Sequence, residues 1–380
     1  MQKRIAAILV LAAGAAYTIT RPADIRFLKH ELDIGAAESC AILDVNGDGK
    51  LDIMSGEDWY EGPGFQTKHH FRSLPYLNNY VDSFSILPMD VNGDGKTDIV
   101  DCAWFAKKLW WNEQPANGKG EWKEHVIASG HNVEFCFAVD LLNDGKKRQV
   151  IPQFGGKDDP LTWYEIQNGD FVAHVVSPHS YGHGIGVGDV NGDGRNDIIT
   201  PKGWFEAPVD PRSTDWKWHG DFDLDTTGFI HVLDVNGDGK PDLVSGMAHN
   251  YGVFWLEQGP NKTWTKHVID DSWSQAHAMT LVDLNGDGKL DILTGKRYSA
   301  HNGHDPGGRE PLGIYWYEYV RTANGQVEWV KHVIDYSTRT GSGMQIAVAD
   351  LNRDGFLDFA VAGKSGLYWF ENLTGATSRK

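Results

Sequence analysis

One nine-residue pattern recurs along the chain and limits what it can fold into. Asp44-Val-Asn46-Gly-Asp48-Gly-Lys-Leu-Asp52 sets the spacing D-x-N-x-D-G-x-x-D. The spacing returns at Asp90, Asn92, Asp94 and Asp98, and again at Asp189, Asn191, Asp193 and Asp197. It recurs at Asp234, Asn236, Asp238 and Asp242, at Asp283, Asn285, Asp287 and Asp291, and at Asp350, Asn352, Asp354 and Asp358. A degenerate seventh copy begins at Asp140 and keeps Asp144 and Gly145, with Leu142 third and Arg148 ninth. Successive copies start 46, 50, 49, 45, 49 and 67 residues apart. A period near fifty residues marks a repeat array rather than a string of unrelated domains.

Oxygen side chains at positions 1, 3, 5 and 9 around a glycine turn suit a hard cation such as Ca²⁺. The six complete loops are therefore expected to bind about six structural calcium ions, and the Asp140 loop weakly or not at all. An EF-hand is excluded, because position 12 is Ser55, Asp101, Thr200, Ser245, Thr294 or Val361 and never Glu. The loops hold twenty of the 52 acidic residues, so much of the net charge of −17 belongs to them. That charge, with no long basic run, argues against nucleic acid as a partner. The 15 Trp, 13 Tyr and 16 Phe, within 41% hydrophobic residues, exclude disorder.

Around each loop the same elements repeat. A strand leads in, a short β-rich run follows, then an aromatic strand such as Trp59-Tyr60-Glu61 or Tyr315-Trp316-Tyr317-Glu318. A strand bearing His70, His125, His174, His219, His267 or His332 comes last. Four strands per unit predict an all-β fold: a seven-bladed β-propeller of four-stranded antiparallel blades filling residues 17–380. The last unit lacks its His strand, whereas Phe27-Leu-Lys-His30-Glu-Leu32 stands spare before the first loop. The N-terminal strand is expected to complete the final blade and close the ring.

Residues 1–16, with Lys3 and Arg4 ahead of apolar Ile5–Ala16, read as an export signal, or alternatively as an uncleaved anchor. The mature chain is expected to be secreted or periplasmic, with no membrane span. Three cysteines cannot build a disulfide framework. Cys40 and Cys136 stand four residues before a repeat Asp, where other units carry Ile or Met, and read as buried hydrophobes.

Six residues before each first Asp stand Glu38, Phe84, Glu134, His183, Gly228, His277 and Met344. Eight before stand Ala36, Asp82, Asn132, Tyr181, Thr226, Gln275 and Ser342. Polar residues that differ from blade to blade mark a site rather than a scaffold. Thirteen residues after the first Asp come Glu57, Lys202 and Lys296. We expect His183 or His277 as base, Tyr181 as acid, and Lys202 and Lys296 as charge stabilisers. Substrate contacts are expected from Glu38, Glu57, Asp82, Asn132, Glu134 and His249. An insertion carrying Arg297, Tyr298, His301 and His304 should overhang the channel, and Trp59, Trp104 and Trp204 should offer sugar platforms. In a variant reading, His183, His277, Glu134 and Glu38 hold an additional divalent ion such as Zn²⁺.

The Asp loops and their units resemble the FG-GAP/VCBS-type repeats of Ca²⁺-binding propellers, found in integrin α-chain heads and secreted bacterial proteins. The stretch His183-Gly-Ile-Gly-Val-Gly-Asp189, with Pro201-Lys202-Gly203-Trp204-Phe205-Glu206, also resembles the propeller of aldos-2-ulose dehydratase-like sugar lyases. This second resemblance implies water elimination from an oxidised sugar. The expected function is thus a secreted carbohydrate-active lyase or dehydratase performing β-elimination on a keto- or uronic sugar. The alternative is a non-enzymatic propeller that recognises glycan or protein. A hydrolase using Glu38, Glu57 and Glu134 has no supporting spacing, and Ser or Cys nucleophile motifs are missing.

Overall fold

The run after each Asp loop becomes a strand whose every residue is buried: Asp52–Ser55, Asp98–Ala103, Gln149–Phe154, Asp197–Thr200, Asp242–Gly246, Asp291–Gly295 and Asp358–Gly363. Both faces of these strands pack against other protein, which is why their residues after the first are mostly apolar or small rather than alternating, with buried Asp101 and Gln153 as the polar exceptions. The outer strands, such as Asp170–Ser177 and Val327–Tyr336, alternate between covered and exposed residues. The computed structural model describes residues 24–116 and 118–374, so the expected export signal lies outside the described residues. Within them the chain is all-β, with two short 3-10 turns and no α-helix. No helix there is long and apolar enough to cross a membrane.

Five four-stranded antiparallel sheets stand separately. Eight further strands form one sheet, made of two meanders joined by the parallel pairing of Ile185–Gly188 with Phe229–Leu233. Gly186 permits that pairing, since a Cβ there would lie 2.0 Å from the Ile230 carbonyl oxygen. The strands are arranged as a β-propeller. Phe27–Asp33 pairs antiparallel with Gly366–Asn372, so the N-terminal strand completes the Asp350 unit as expected.

The core is divided among the seams between neighbouring units. Trp111 and Val100 meet Phe135 and Tyr164, Trp163 meets Phe205, and Trp255 meets Tyr317. Trp316 packs with Phe359, and Trp369 with Tyr60, which joins the last unit to the first. Each unit also carries a stacked Trp–His pair: Trp59–His69, Trp111–His125, Trp163–His174, Trp204–His219, Trp255–His267, Trp316–His332 and Trp369–His30. Their ring centroids are 4.0–4.3 Å apart. Each of these His also sits 2.7–3.4 Å from a Glu of the aromatic strand. The repeated His are thus structural. In the first unit the stacked residue is His69, not the expected His70, which pairs with Asp58 at 3.0 Å. Trp59 and Trp204 are buried under their His partners and are not open sugar platforms.

Candidate metal centre and cleft

The segments entering the first strands bring their chemistry to the ring centre. His183 Nε2 lies 3.0 Å from Glu134 Oε2 and 3.2 Å from His249 Nε2. Ligand atoms of Glu134, His183, His249 and His277 all fall within 4.8 Å of one another. The outward nitrogens explain this orientation. Nδ1–H of His183 donates to the Thr227 carbonyl at 2.9 Å, and Nδ1–H of His249 donates to Asp305 Oδ2 at 2.8 Å. His277 Nδ1 faces the Gln275 carbonyl at a longer 3.4 Å. Oxygen acceptors at Nδ1 turn the Nε2 atoms of His183 and His249 inward, the orientation seen in metal-bound imidazoles. Buried His277 Nε2 has no hydrogen-bond partner. Gly228 makes room, because a Cβ there would sit 2.4 Å from the His277 carbonyl oxygen.

Beside the histidines, Arg297 is buried between two carboxylates. Its Nε and Nη2 bond both oxygens of Glu38, at 2.8 and 2.7 Å, and its Nη1 bonds Glu134. Burial alone would raise the Glu134 carboxyl, but Arg297 and His183 outweigh it and hold it well below its ordinary value. Burial and then Arg297 push His277 well down, and burial and then His183 bring His249 to about 4. Both imidazoles are therefore neutral near pH 7 and free to donate lone pairs. Three imidazoles and one carboxylate form a donor set suited to Zn²⁺ or a similar divalent transition ion.

A cleft of about 180 Å³ opens beside this cluster, with Tyr80, Phe84, Trp104 and Phe105 along it and Arg297, His301, Asn302 and Lys364 completing it. The insertion does overhang it. His301 stacks on His249 at 4.2 Å, and its Nδ1 lies 2.9 Å from Asp305 Oδ1, so Asp305 orients both rings.

Other expected site residues lie elsewhere or act as scaffold. Lys296 is buried, and its ammonium is spent on Ser274 O, Ser274 Oγ and the Gly307 carbonyl, pinning the insertion. Lys202 pairs with exposed Asp223. Tyr181 packs against Trp218 in a tilted arrangement, ring centroids 4.3 Å apart. Glu57 caps the Leu74 amide, Asp82 accepts the amides of Trp104, Phe105 and Ala106, and Asn132 donates to the Trp104 carbonyl. Glu38 serves Arg297 rather than the histidine cluster. Tyr298 and His304 are exposed on the insertion. Sequence reading gave His249 a substrate role, although its Nε2 belongs to the metal-type cluster, and it assigned no role to Asp305, Tyr80 or Lys364. A register signal was present: Trp104, Arg297 and Lys364 each stand fourteen residues after their first Asp, not thirteen.

In the Asp loops, the first Asp accepts backbone amides within the loop, as Asp44 does from Gly47, Asp48 and Gly49. The ninth Asp is buried and clamps the loop to the aromatic strand. Asp52 accepts Val45 N and Gly62 N, and Asp242 accepts Val235 N and Gln258 N. In the degenerate loop Gln149 takes over the loop half of this clamp by accepting Leu141 N, while Arg148 pairs with Asp144 at 2.6 Å. Burial raises Asp197 to about 7 and Asp291 and Asp358 to about 6. Among the described residues, ligand atoms of three or more His, Cys, Asp or Glu converge within 4.8 Å at the ring centre, not in the loops.

Residues 234–294 match the FG-GAP-like repeat model. A lectin of Agrocybe aegerita, whose structure is described as the basis of specific recognition of non-reducing terminal N-acetylglucosamine, superposes with a TM-score of 0.46. It is 15% identical, over 90% of this chain and 91% of that one. No curated protein matches.

Proposed function

We propose that the protein is a metal-dependent lyase acting on an oxidised sugar at the centre of a seven-bladed propeller. The count of seven takes the eight-stranded sheet as two blades joined by their inner strands. The observation that carries the reading is the convergence of three imidazoles and Glu134 beside an aromatic-walled cleft. His183, His249, His277 and Glu134 would hold the ion. Bound there, it would polarise a carbonyl or carboxylate of the sugar and acidify the adjacent C–H. With His183 and His277 in that role, the base falls to His301. Asp305 holds its Nδ1, leaving Nε2 at the cleft to take the proton and return it to the leaving oxygen. The six complete Asp loops are read as structural Ca²⁺ sites on the scaffold, and the N-terminal segment as an export signal.

Metal analysis and a substrate panel test the reading. The purified protein should contain one tightly held transition ion, lost in His183→Ala and His249→Ala. Incubation with uronides and keto-sugars should give unsaturated-product absorbance that a chelator abolishes. Glycan binding without product across the panel would overturn the lyase reading in favour of recognition.

A further inference from the structure

We infer that the cleft selects a single-ring sugar acid, with Lys364 as the partner of its carboxylate. The inference rests on the reading of the cleft as the substrate site, and narrows an oxidised sugar to a uronic one.

The charges around the cleft are unevenly matched. Arg297 is committed, with Glu38 on two nitrogens and Glu134 on a third. Lys364 is not. Among the described residues, the one carboxylate oxygen within 4.0 Å of its Nζ is Glu38 Oε1 at 3.8 Å, and that atom already accepts Arg297 Nε. Its other contacts are the Ser299 carbonyl at 3.3 Å and the face of Tyr80 at 4.2 Å. A largely buried ammonium without a close counter-ion is costly, and an anion entering the cleft supplies one. The size of the cleft, about 180 Å³, is below that of sites for drug-sized ligands and admits about one ring. Tyr80, Trp104 and Phe105 give that ring apolar faces, while Lys364 fixes its charged end.

Titration calorimetry with glucuronate, galacturonate, glucuronate methyl ester, glucose and glucose 6-phosphate tests this on wild-type, Lys364→Met and Lys364→Arg proteins. One of the two acids should bind at least about tenfold more tightly than ester or glucose, the scale of one charge-assisted hydrogen bond. Lys364→Met should erase the preference while melting temperature and bound metal stay unchanged, and Lys364→Arg should keep part of it. Equal affinity for acid and ester, a preference that survives Lys364→Met, a sugar phosphate preferred over both acids, or no saturable binding of either acid overturns the inference. The readout needs no turnover, so it separates from the lyase reading. Selective acid binding without unsaturated product sinks the lyase alone, and turnover of neutral keto-sugars with rejection of acids sinks the sugar-acid inference alone.

Discussion

Without the Arg297 guanidinium, Glu38 and Glu134 would face each other in a largely buried site with no cation between them. Glu38 is fully buried and Glu134 is 7% exposed, so both carboxylates are largely withdrawn from solvent. Breaking a buried ion pair by removing one partner costs about 3–5 kcal/mol. Arg297→Met should therefore lower unfolding free energy by that order in urea titration, and a loss under about 1 kcal/mol would show the carboxylates to be protonated instead. His231 offers a test at acid pH. Burial, resisted by the Met279 carbonyl, holds its imidazole down to about 4, against an ordinary 6.5. Between those values the unfolded chain binds the extra proton, so the stability this residue contributes is present above pH 6.5 and lost as pH falls towards 4. Melting temperatures of wild type and His231→Gln should converge as pH falls through that window, and a constant gap would refute the depressed value. The centre was partly legible in the sequence. Glu134, His183 and His277 stand where a core position would be apolar, so their chemistry showed through. Arg297 was among the expected contacts, whereas Lys364 was given no role, because it lies in the turn past the strand Asp358–Gly363 and one position beyond the thirteen-residue register. Position thirteen in that register falls on Lys296 and Lys202, whose ammonium groups bind Ser274 and Asp223 instead.

At the scale of the element, the Asp loop combines two functions that the motif writes as one. The ninth Asp bonds two backbone amides, one in the loop and one on the aromatic strand, as Asp242 does with Val235 and Gln258. The fifth, such as Asp238, faces solvent and meets Lys240 at 2.5 Å. If the loops bind calcium as proposed, Asp238→Asn should reduce only the stabilisation that calcium would add. Asp242→Asn should lose about 1 kcal/mol or more in chelator as well, since its amide group accepts one of the two bonds at most. Melting curves of both variants with calcium and with chelator read the difference. An unchanged wild-type melting temperature on chelation would remove calcium from the loops altogether. The motif made the six loops legible, whereas the substitution of Gln149 for the ninth Asp was not. The degenerate loop carries one extra residue before its clamp, so counting nine positions lands on Arg148.

Across the whole molecule, closure depends on one strand drawn from the far end of the chain. Phe27–Asp33 lies more than three hundred residues from its partner Gly366–Asn372, yet covers an edge that would otherwise present unpaired amides and carbonyls. It also brings Lys29 to Asp335 at 2.8 Å and His30 onto Trp369 and Glu371, so it ties the last unit to its neighbour as well as filling it. The spare strand was visible in the sequence because the repeat count was one strand short at the C-terminal end and one strand long at the other. Removing residues up to Asp33 should leave the other units able to form while exposing the Gly366–Asn372 edge. The truncated protein should melt at lower temperature, unfold less cooperatively and associate through that edge in sedimentation velocity. A synthetic peptide of residues 24–34 added in trans should restore the monomer and the sharp transition. A truncated chain that stays monomeric with wild-type melting would mean that the seam between Trp369 and Tyr60 closes the ring without help from the strand.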